Sequence, residues 1–180
     1  MMADEDGEVM GTTHGPFLSR SEADTHAFAA ALSEALEPGD VVALEGTLGA
    51  GKTVLVRGVA KALGVTDGVS SPTYALVNLY DGGRLGLAHL DLYRLGDPDE
   101  LEAIGWRDLL QSDRVMLVEW PERGDILIDA TFVVRLEDLG PAIRRLSINA
   151  RDPEASLALA LALAALPPRL LTAAAVEPTL

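Results

Sequence analysis

The sequence predicts an α/β fold in which helices cover both faces of a mixed central sheet. Residues 41–44 form an apolar run of strand type, and residues 52–63 carry apolar side chains at helical spacing. The continuous apolar run at 115–118 is typical of a strand that is buried on both faces. An Asp-Gly-Gly turn at 81–83 separates two further strand-like segments, which predicts an antiparallel hairpin within the sheet.

A glycine-rich segment joins the first of these strands to its helix. Residues 46–53 read Gly-Thr-Leu-Gly-Ala-Gly-Lys-Thr and fit G-x-x-x-x-G-K-[ST], the phosphate-binding loop of P-loop NTPases. The N–H groups of such a loop and the helix N-terminus attract phosphate oxygens, Lys52 can reach the terminal phosphates, and the Thr53 hydroxyl can ligate Mg²⁺. We therefore expect ATP or GTP with Mg²⁺ to bind at Gly46, Gly49, Ala50, Gly51, Lys52, Thr53 and Val54.

Composition limits the class of protein. A chain of 180 residues that is 48% hydrophobic suits one globular domain. The formal net charge of −14 argues against a broad basic surface for nucleic acid, and the lack of cysteine excludes disulfides and thiolate zinc sites. With no apolar stretch of membrane-spanning length and no visible secretory signal, we expect a cytoplasmic protein that does not bind a membrane.

The chain divides into three predicted regions. Residues 1–16 are acidic and lack apolar periodicity, so we expect a disordered tail. Residues 17–150 form the predicted P-loop domain, and residues 151–180 are rich in Ala and Leu. We expect 156–166 to be a short helix packed on the body or part of a flexible tail, and less readily a helix that docks a partner.

Within the domain, capping and turn residues set the predicted element bounds. Ser21 can cap a helix that Pro38-Gly39 ends, and Asp97-Pro98 can begin another. The predicted elements besides those above are a helix at 21–36, a polar loop at 67–73, hairpin strands at 74–80 and 84–90, a helix at 98–110, and sheet-edge strands near 131–136 and 145–149.

Two carboxylates follow apolar strands. Asp91 ends the run 87–90 and Glu119 ends the run 115–118, at the sheet edge where α/β proteins bind ligands. Either can fix Mg²⁺ opposite Thr53, or be an ordinary surface carboxylate. Histidines placed like His89 are more often structural than catalytic. Among the neighbouring residues, Arg94 suits a phosphate or a surface ion pair, and packing is the default for Tyr93, Trp106 and Trp120, although Trp120 can also border the nucleotide.

Four blocks together resemble one family. Leu-Gly-Ala-Gly-Lys-Thr at 48–53, Ser-Pro-Thr-Tyr at 71–74, His-Leu-Asp-Leu-Tyr-Arg at 89–94 and Leu-Val-Glu-Trp-Pro at 117–121 have the order and spacing of the bacterial TsaE (YjeE) ATPases. The resemblance implies an ATPase, weak by itself, that acts with a TsaB–TsaD-like complex. That complex transfers threonylcarbamoyl to the adenosine beside the anticodon of tRNAs reading A-starting codons. Contact with tRNA is expected through the complex, and direct contact stays open.

The resemblance also implies roles for individual residues. Thr53 and Glu119 would hold Mg²⁺, and Asp91 together with Lys52 would serve ATP hydrolysis. The segment 71–74, including Thr73, resembles a switch-like loop near the γ phosphate. Ser21 and Thr25 would lie near the adenine base. One departure from the family is Thr47, a loop position that is usually acidic there.

Two other functions remain open from the residues alone. A small-molecule P-loop kinase is the first, although kinases usually carry an arginine-bearing lid. Here only Arg107 lies between Arg94 and Arg114, within a predicted regular helix. The second is a nucleotide-sensing interaction module without turnover.

Overall fold

A mixed sheet of seven strands, in the order β1-β7-β6-β2-β5-β4-β3, forms the centre of the protein. The computed structural model describes residues 11–66, 68–72, 75–97 and 99–171. The strands are β1 (Thr12–Ser19), β2 (Val41–Glu45), β3 (Val77–Tyr80), β4 (Leu87–Asp91), β5 (Val115–Glu119), β6 (Phe132–Asp138) and β7 (Arg144–Ala150). The helices are α1 (Glu22–Ala35), α2 (Lys52–Leu63), α3 (Asp99–Ala103), α4 (Trp106–Leu110), α5 (Pro153–Leu163) and α6 (Pro168–Leu171).

The strand pairing confirms the mixed sheet. Strand β2 pairs in parallel with both β5 and β6, and β4 pairs in parallel with β5. The predicted hairpin is the antiparallel pair β3–β4, whose register runs from Val77↔Leu90 to Tyr80↔Leu87. Strand β7 is antiparallel to β6 and to β1. As a result, β2 is central, and the loop that follows it emerges between two parallel neighbours.

Side chains of the central strands enter two apolar clusters, one on each face of the sheet. In β2, Val42 and Leu44 pack with helices α1, α2 and α5, whereas Val41 and Ala43 pack with the cluster that contains Trp106. Strand β5 alternates in the same way and all of its residues are buried. This double burial explains why both strands read as continuous apolar runs, and it confirms helices on both faces.

Helices α1 and α2 approach each other closely at Gly58. A Cβ built on Gly58 would lie 2.6 Å from the Ala29 Cβ and 3.0 Å from the His26 Cδ2. The close contact at Gly58 fixes α2, and with it the loop from which α2 starts.

Ser21 caps α1 as predicted, because its Oγ accepts the Asp24 N–H at 3.2 Å.

The N-terminal region differs from the prediction. Strand β1 begins at Thr12 and pairs with β7 from Thr12↔Ala150 to Ser19↔Arg144, so a disordered tail through residue 16 is wrong over that part. Residues 1–10 lie outside the described chain. The first five residues of β1 are not buried, and an edge strand of this kind shows no apolar alternation in its sequence. Because β1 forms this edge, β6 and β7 are internal and not the predicted sheet-edge strands.

Two other segments refine the predictions. The single helix predicted at 98–110 is wrong: it is divided into α3 and α4 at Gly105, which has a left-handed φ of +75°; Pro98 is outside the described residues. The described part of the Ala/Leu-rich region forms two packed helices, since Leu159 and Leu163 of α5 and Leu170 of α6 are buried. Residues 172–180 are not described. None of the helices in the described ranges has the length and apolarity required to span a membrane.

Candidate functional site

The loop between β2 and α2 opens into a cleft of about 460 Å³ at the carboxyl end of the central strands. This is the size of many small-molecule sites. Parallel strands on both sides of β2 leave its carboxyl end as the natural ligand position of an open α/β sheet. The cleft is lined by Leu48, Gly49, Ala50, Gly51, Lys52, Thr53, Val54, Ser71, Asp91, Tyr93, Arg94, Glu119 and Trp120.

Gly46 begins the loop at a place where no side chain fits. Its φ is +149°, and a Cβ there would lie 2.5 Å from the Leu136 carbonyl oxygen of β6. Within the loop, the Ala50 N–H donates to the Thr47 carbonyl at 3.1 Å. The loop is therefore a tight backbone turn that packs directly against the neighbouring strand, with Leu48, Gly49 and Ala50 lining the cleft.

The Lys52 ammonium lies inside this turn. Its Nζ donates to the carbonyl oxygens of Gly46 at 2.5 Å and Thr47 at 3.1 Å, and lies 3.8 Å from the ring centroid of Trp120. Lys52 is only 4% exposed, and this burial lowers its pKa, although the charges of Glu119, Glu122 and Asp91 oppose the shift. The site thus holds a buried cation against the backbone of the loop.

Thr53 and Glu119 meet across the cleft. The Thr53 Oγ1 donates to the Glu119 Oε1 at 2.8 Å, and the His89 Nε2 lies 3.0 Å from the same oxygen. Glu119 is 4% exposed and His89 is fully buried. The His89 Nδ1 has no hydrogen-bond partner among the described residues. With the proton on Nε2, His89 orients the Glu119 carboxylate from behind, which supports the structural interpretation of this histidine over a catalytic one.

Asp91 is the partner of Glu119 in the β4–β5 register, so the two predicted carboxylates stand side by side. The Ser71 Oγ donates to the Asp91 Oδ2 at 2.6 Å, and the Tyr93 N–H donates to the Asp91 Oδ1 at 3.2 Å. A hydroxyl and a carboxylate from two distant segments therefore meet beside the loop. Thr73, predicted in the same segment as Ser71, lies outside the described residues.

The donor set fits a phosphate chain with a hard divalent cation. Backbone N–H groups and an ammonium suit phosphate oxygens, and a hydroxyl beside a buried carboxylate suits Mg²⁺. Val54, Arg94, Tyr93 and Trp120 also line the cleft, whereas Trp106 packs in the core.

Ser21 and Thr25 lie elsewhere in the fold. Ser21 caps α1, and the Thr25 Oγ1 is 2.8 Å from the Ser19 Oγ. Neither residue lines the cleft around the loop. Their contact with an adenine base stays a prediction.

Sequence reasoning missed Arg144. The first residue of β7 donates from Nε to the Ala50 carbonyl at 3.0 Å and from a terminal nitrogen to the Gly49 carbonyl at 3.2 Å. An arginine in a strand far along the chain carries no local signal of such a contact, which arises from the strand order alone.

Comparison with known proteins gives consistent matches. The family model described as "Threonylcarbamoyl adenosine biosynthesis protein TsaE" matches residues 19–146. A Treponema pallidum protein named tRNA threonylcarbamoyladenosine biosynthesis protein TsaE is 36% identical over 132 residues, which are 73% of this chain and 97% of that protein. A Haemophilus influenzae protein of the same name is 46% identical over 98 residues, 54% of this chain and 62% of that protein, so less than two thirds of it is spanned.

A solved structure resembles most of this arrangement. The crystal structure of Bacillus subtilis YdiB superposes with a TM-score of 0.69 and 26% identity, covering 86% of this chain and 97% of that one. The likeness therefore includes most of the sheet and its helices.

Proposed function

Because the chain belongs to the TsaE family, we propose that it is a Mg²⁺-dependent ATPase that supports threonylcarbamoyl transfer to the adenosine beside the anticodon of tRNAs reading A-starting codons. The observation that carries this proposal is the contact of Thr53 with Glu119 beside a phosphate-binding loop, with Asp91 one strand away. A hydroxyl and an acid in these positions are what P-loop enzymes use around Mg²⁺.

The roles follow from the contacts. The loop N–H groups and Lys52 would bind the phosphates, and Thr53 and Glu119 would hold Mg²⁺, with His89 keeping Glu119 oriented. When bound, the metal neutralises charge on the phosphate oxygens. Lys52 needs only to exchange the Gly46 and Thr47 carbonyls for phosphate oxygens, since its ammonium is already desolvated.

Asp91 would orient or deprotonate the attacking water. Its carboxylate is held beside the cleft by hydrogen bonds from Ser71 and from the Tyr93 N–H. We expect Asp91→Ala to keep ATP affinity within about twofold and to lower turnover about 100-fold or more, the range of a lost general base. Calorimetric titration with ATP and Mg²⁺ and phosphate-release assays measure the two quantities. Unchanged hydrolysis would remove Asp91 from this role.

The partner is a TsaB–TsaD-like protein pair, and tRNA is reached through it. The names of the relatives support the pathway, and the net charge of −14 supports contact with protein in place of direct contact with tRNA. The test is a pull-down with a TsaB–TsaD pair in ATP, in ADP and without nucleotide, together with tRNA modification in a depleted strain. ATP binding without association and without rescue of modification would refute the proposed function.

A further inference from the structure

Arg144 connects the phosphate-binding loop to the turn between β6 and β7. Besides the carbonyls of Gly49 and Ala50, its guanidinium contacts the Asp138 Oδ1 at 3.0 Å and the carbonyls of Gly140 at 3.0 Å and Ile143 at 2.9 Å. Its side chain is 22% exposed. The guanidinium thus donates both to the turn between β6 and β7 and to the phosphate-binding loop. The five contacts are distributed over all three of its nitrogens.

These contacts bear on two loop peptides: Gly49–Ala50, which the Ala50 N–H also holds through the Thr47 carbonyl, and Ala50–Gly51. In a planar trans peptide the C=O and the following N–H point in opposite directions. Because Arg144 binds the Ala50 carbonyl from outside the cleft, the Gly51 N–H of the same peptide points away from Arg144. Ala50 and Gly51 both line the cleft. The guanidinium therefore selects the orientation in which an N–H is available to an anion.

Packing does not select this orientation. Gly49 and Gly51 have φ values of +82° and +103°, and apart from adjacent residues along the chain no heavy atom of the described residues lies within 4 Å of where a Cβ would stand on either residue. Glycines without steric neighbours can exchange between peptide orientations at little cost. For the Ala50–Gly51 peptide, the hydrogen bond from Arg144 to the Ala50 carbonyl is then what favours one of them.

We propose that Arg144 is a positioning residue that holds the phosphate-binding loop ready for nucleotide and couples it to the turn at 138–143. The inference rests on the proposed ATP binding and assigns part of that affinity to a residue outside the loop. Coupling of this kind is reciprocal: if the turn helps the loop to bind, nucleotide in the loop stabilises the turn.

The first test compares Arg144→Met with Arg145→Met. Arg145 is the next residue of β7 and its guanidinium pairs with Glu137 at 2.9 Å, so its variant removes the same charge from the same strand, and the described residues show no contact of Arg145 with residues 46–53. We expect the dissociation constant for ATP with Mg²⁺, measured by calorimetry, to rise about tenfold in Arg144→Met and by less than about twofold in Arg145→Met. Arg144→Lys keeps the charge but offers one nitrogen, and we expect an intermediate value.

The second readout is one that a purely structural role would not change. In the natural protein, ATP should slow hydrogen exchange at the amides of Leu139 and Ile143, which bond within the turn. In Arg144→Met this slowing should disappear, while in Arg145→Met it should persist. Should Arg144→Met fail to fold by circular dichroism, Arg144→Lys serves for both measurements.

The outcomes separate the two proposals. Equal ATP affinity in the folded Arg144 and Arg145 variants, or ATP protection of the turn that survives without Arg144, would overturn the positioning role and leave the ATPase proposal intact. Failure of the natural protein to bind ATP would overturn both.

Discussion

Removing the charge of Glu119 tests the proposed metal site most directly. Glu119→Gln keeps the shape of the side chain, which is 4% exposed, and keeps one oxygen to accept from Thr53. Because Thr53 and His89 both contact Oε1, an amide oxygen in that position can accept from both, with the new N–H₂ in the place of Oε2. We therefore expect the free energy of unfolding to change by less than about 1 kcal/mol, because both buried contacts are kept.

We expect Glu119→Gln to weaken Mg²⁺ binding much more than it weakens the fold. A neutral amide replaces an anionic ligand whose second contact, from His89 at 3.0 Å, supports its orientation. Losing a charge-assisted interaction of about 1.5–3 kcal/mol corresponds to about a 10- to 100-fold weaker interaction. We expect the Mg²⁺ concentration for half-maximal hydrolysis at saturating ATP to rise by this factor.

Titrating hydrolysis with Mg²⁺ measures the factor, and Glu122→Gln is the matched control. Glu122 lies three positions further along, on an exposed turn, and does not line the cleft. Its variant also removes one negative charge near Lys52 and should leave the Mg²⁺ requirement unchanged. A folded Glu119→Gln protein with the natural Mg²⁺ requirement would refute the assignment of Glu119 as a metal ligand.

Two further predictions concern stability. Burial raises the pKa of Asp24, but hydrogen bonds from Arg169 and from the Arg20 N–H outweigh it, so the pKa lies below its usual range. Asp24 then stabilises the fold above its unfolded pKa of about 4, and this contribution is lost as pH falls through the lower folded pKa. We expect Asp24→Asn to lower the free energy of unfolding by about 1 kcal/mol at pH 7 and to leave it unchanged in strong acid. The value at pH 7 is small because the Arg169 side chain is 59% exposed. Equal urea midpoints at pH 7 would contradict this. Gly58→Val should cost about 2 kcal/mol in urea unfolding, because its side chain enters the space of Ala29; an unchanged midpoint would mean that α1 and α2 can separate freely.

The sequence predicted the features that depend on neighbours along the chain. The glycine loop, its flanking strand and helix, and the acids at the ends of β4 and β5 are local patterns. That the loop and the two acids lie close together followed from the rule that parallel strands have their carboxyl ends at one edge of the sheet. The hairpin was likewise visible in its turn residues.

Features that depend on distant pairing were missed. Strand β1 pairs with β7 through its main chain, and because most of its first residues are exposed, its sequence is similar to that of a disordered tail. Arg144 reaches Ala50 because β7 lies two strands from β2, which no pattern around residue 144 expresses. The break at Gly105 is a third case, since an isolated glycine is compatible with a continuous helix.

The antiparallel pairing of β1 with β7 also affects the order in which the protein can assemble during synthesis. Thr12 can pair with Ala150 only after residue 150 has been synthesised, so β1 joins the sheet after almost the entire domain has been made. For most of that time a nascent chain already contains residues 46–53 but lacks β6, against which Gly46 packs, and the guanidinium of Arg144. If the proposed ATP binding holds, we expect it to arise late during synthesis, and ATP would then report whether the last strands have joined the sheet.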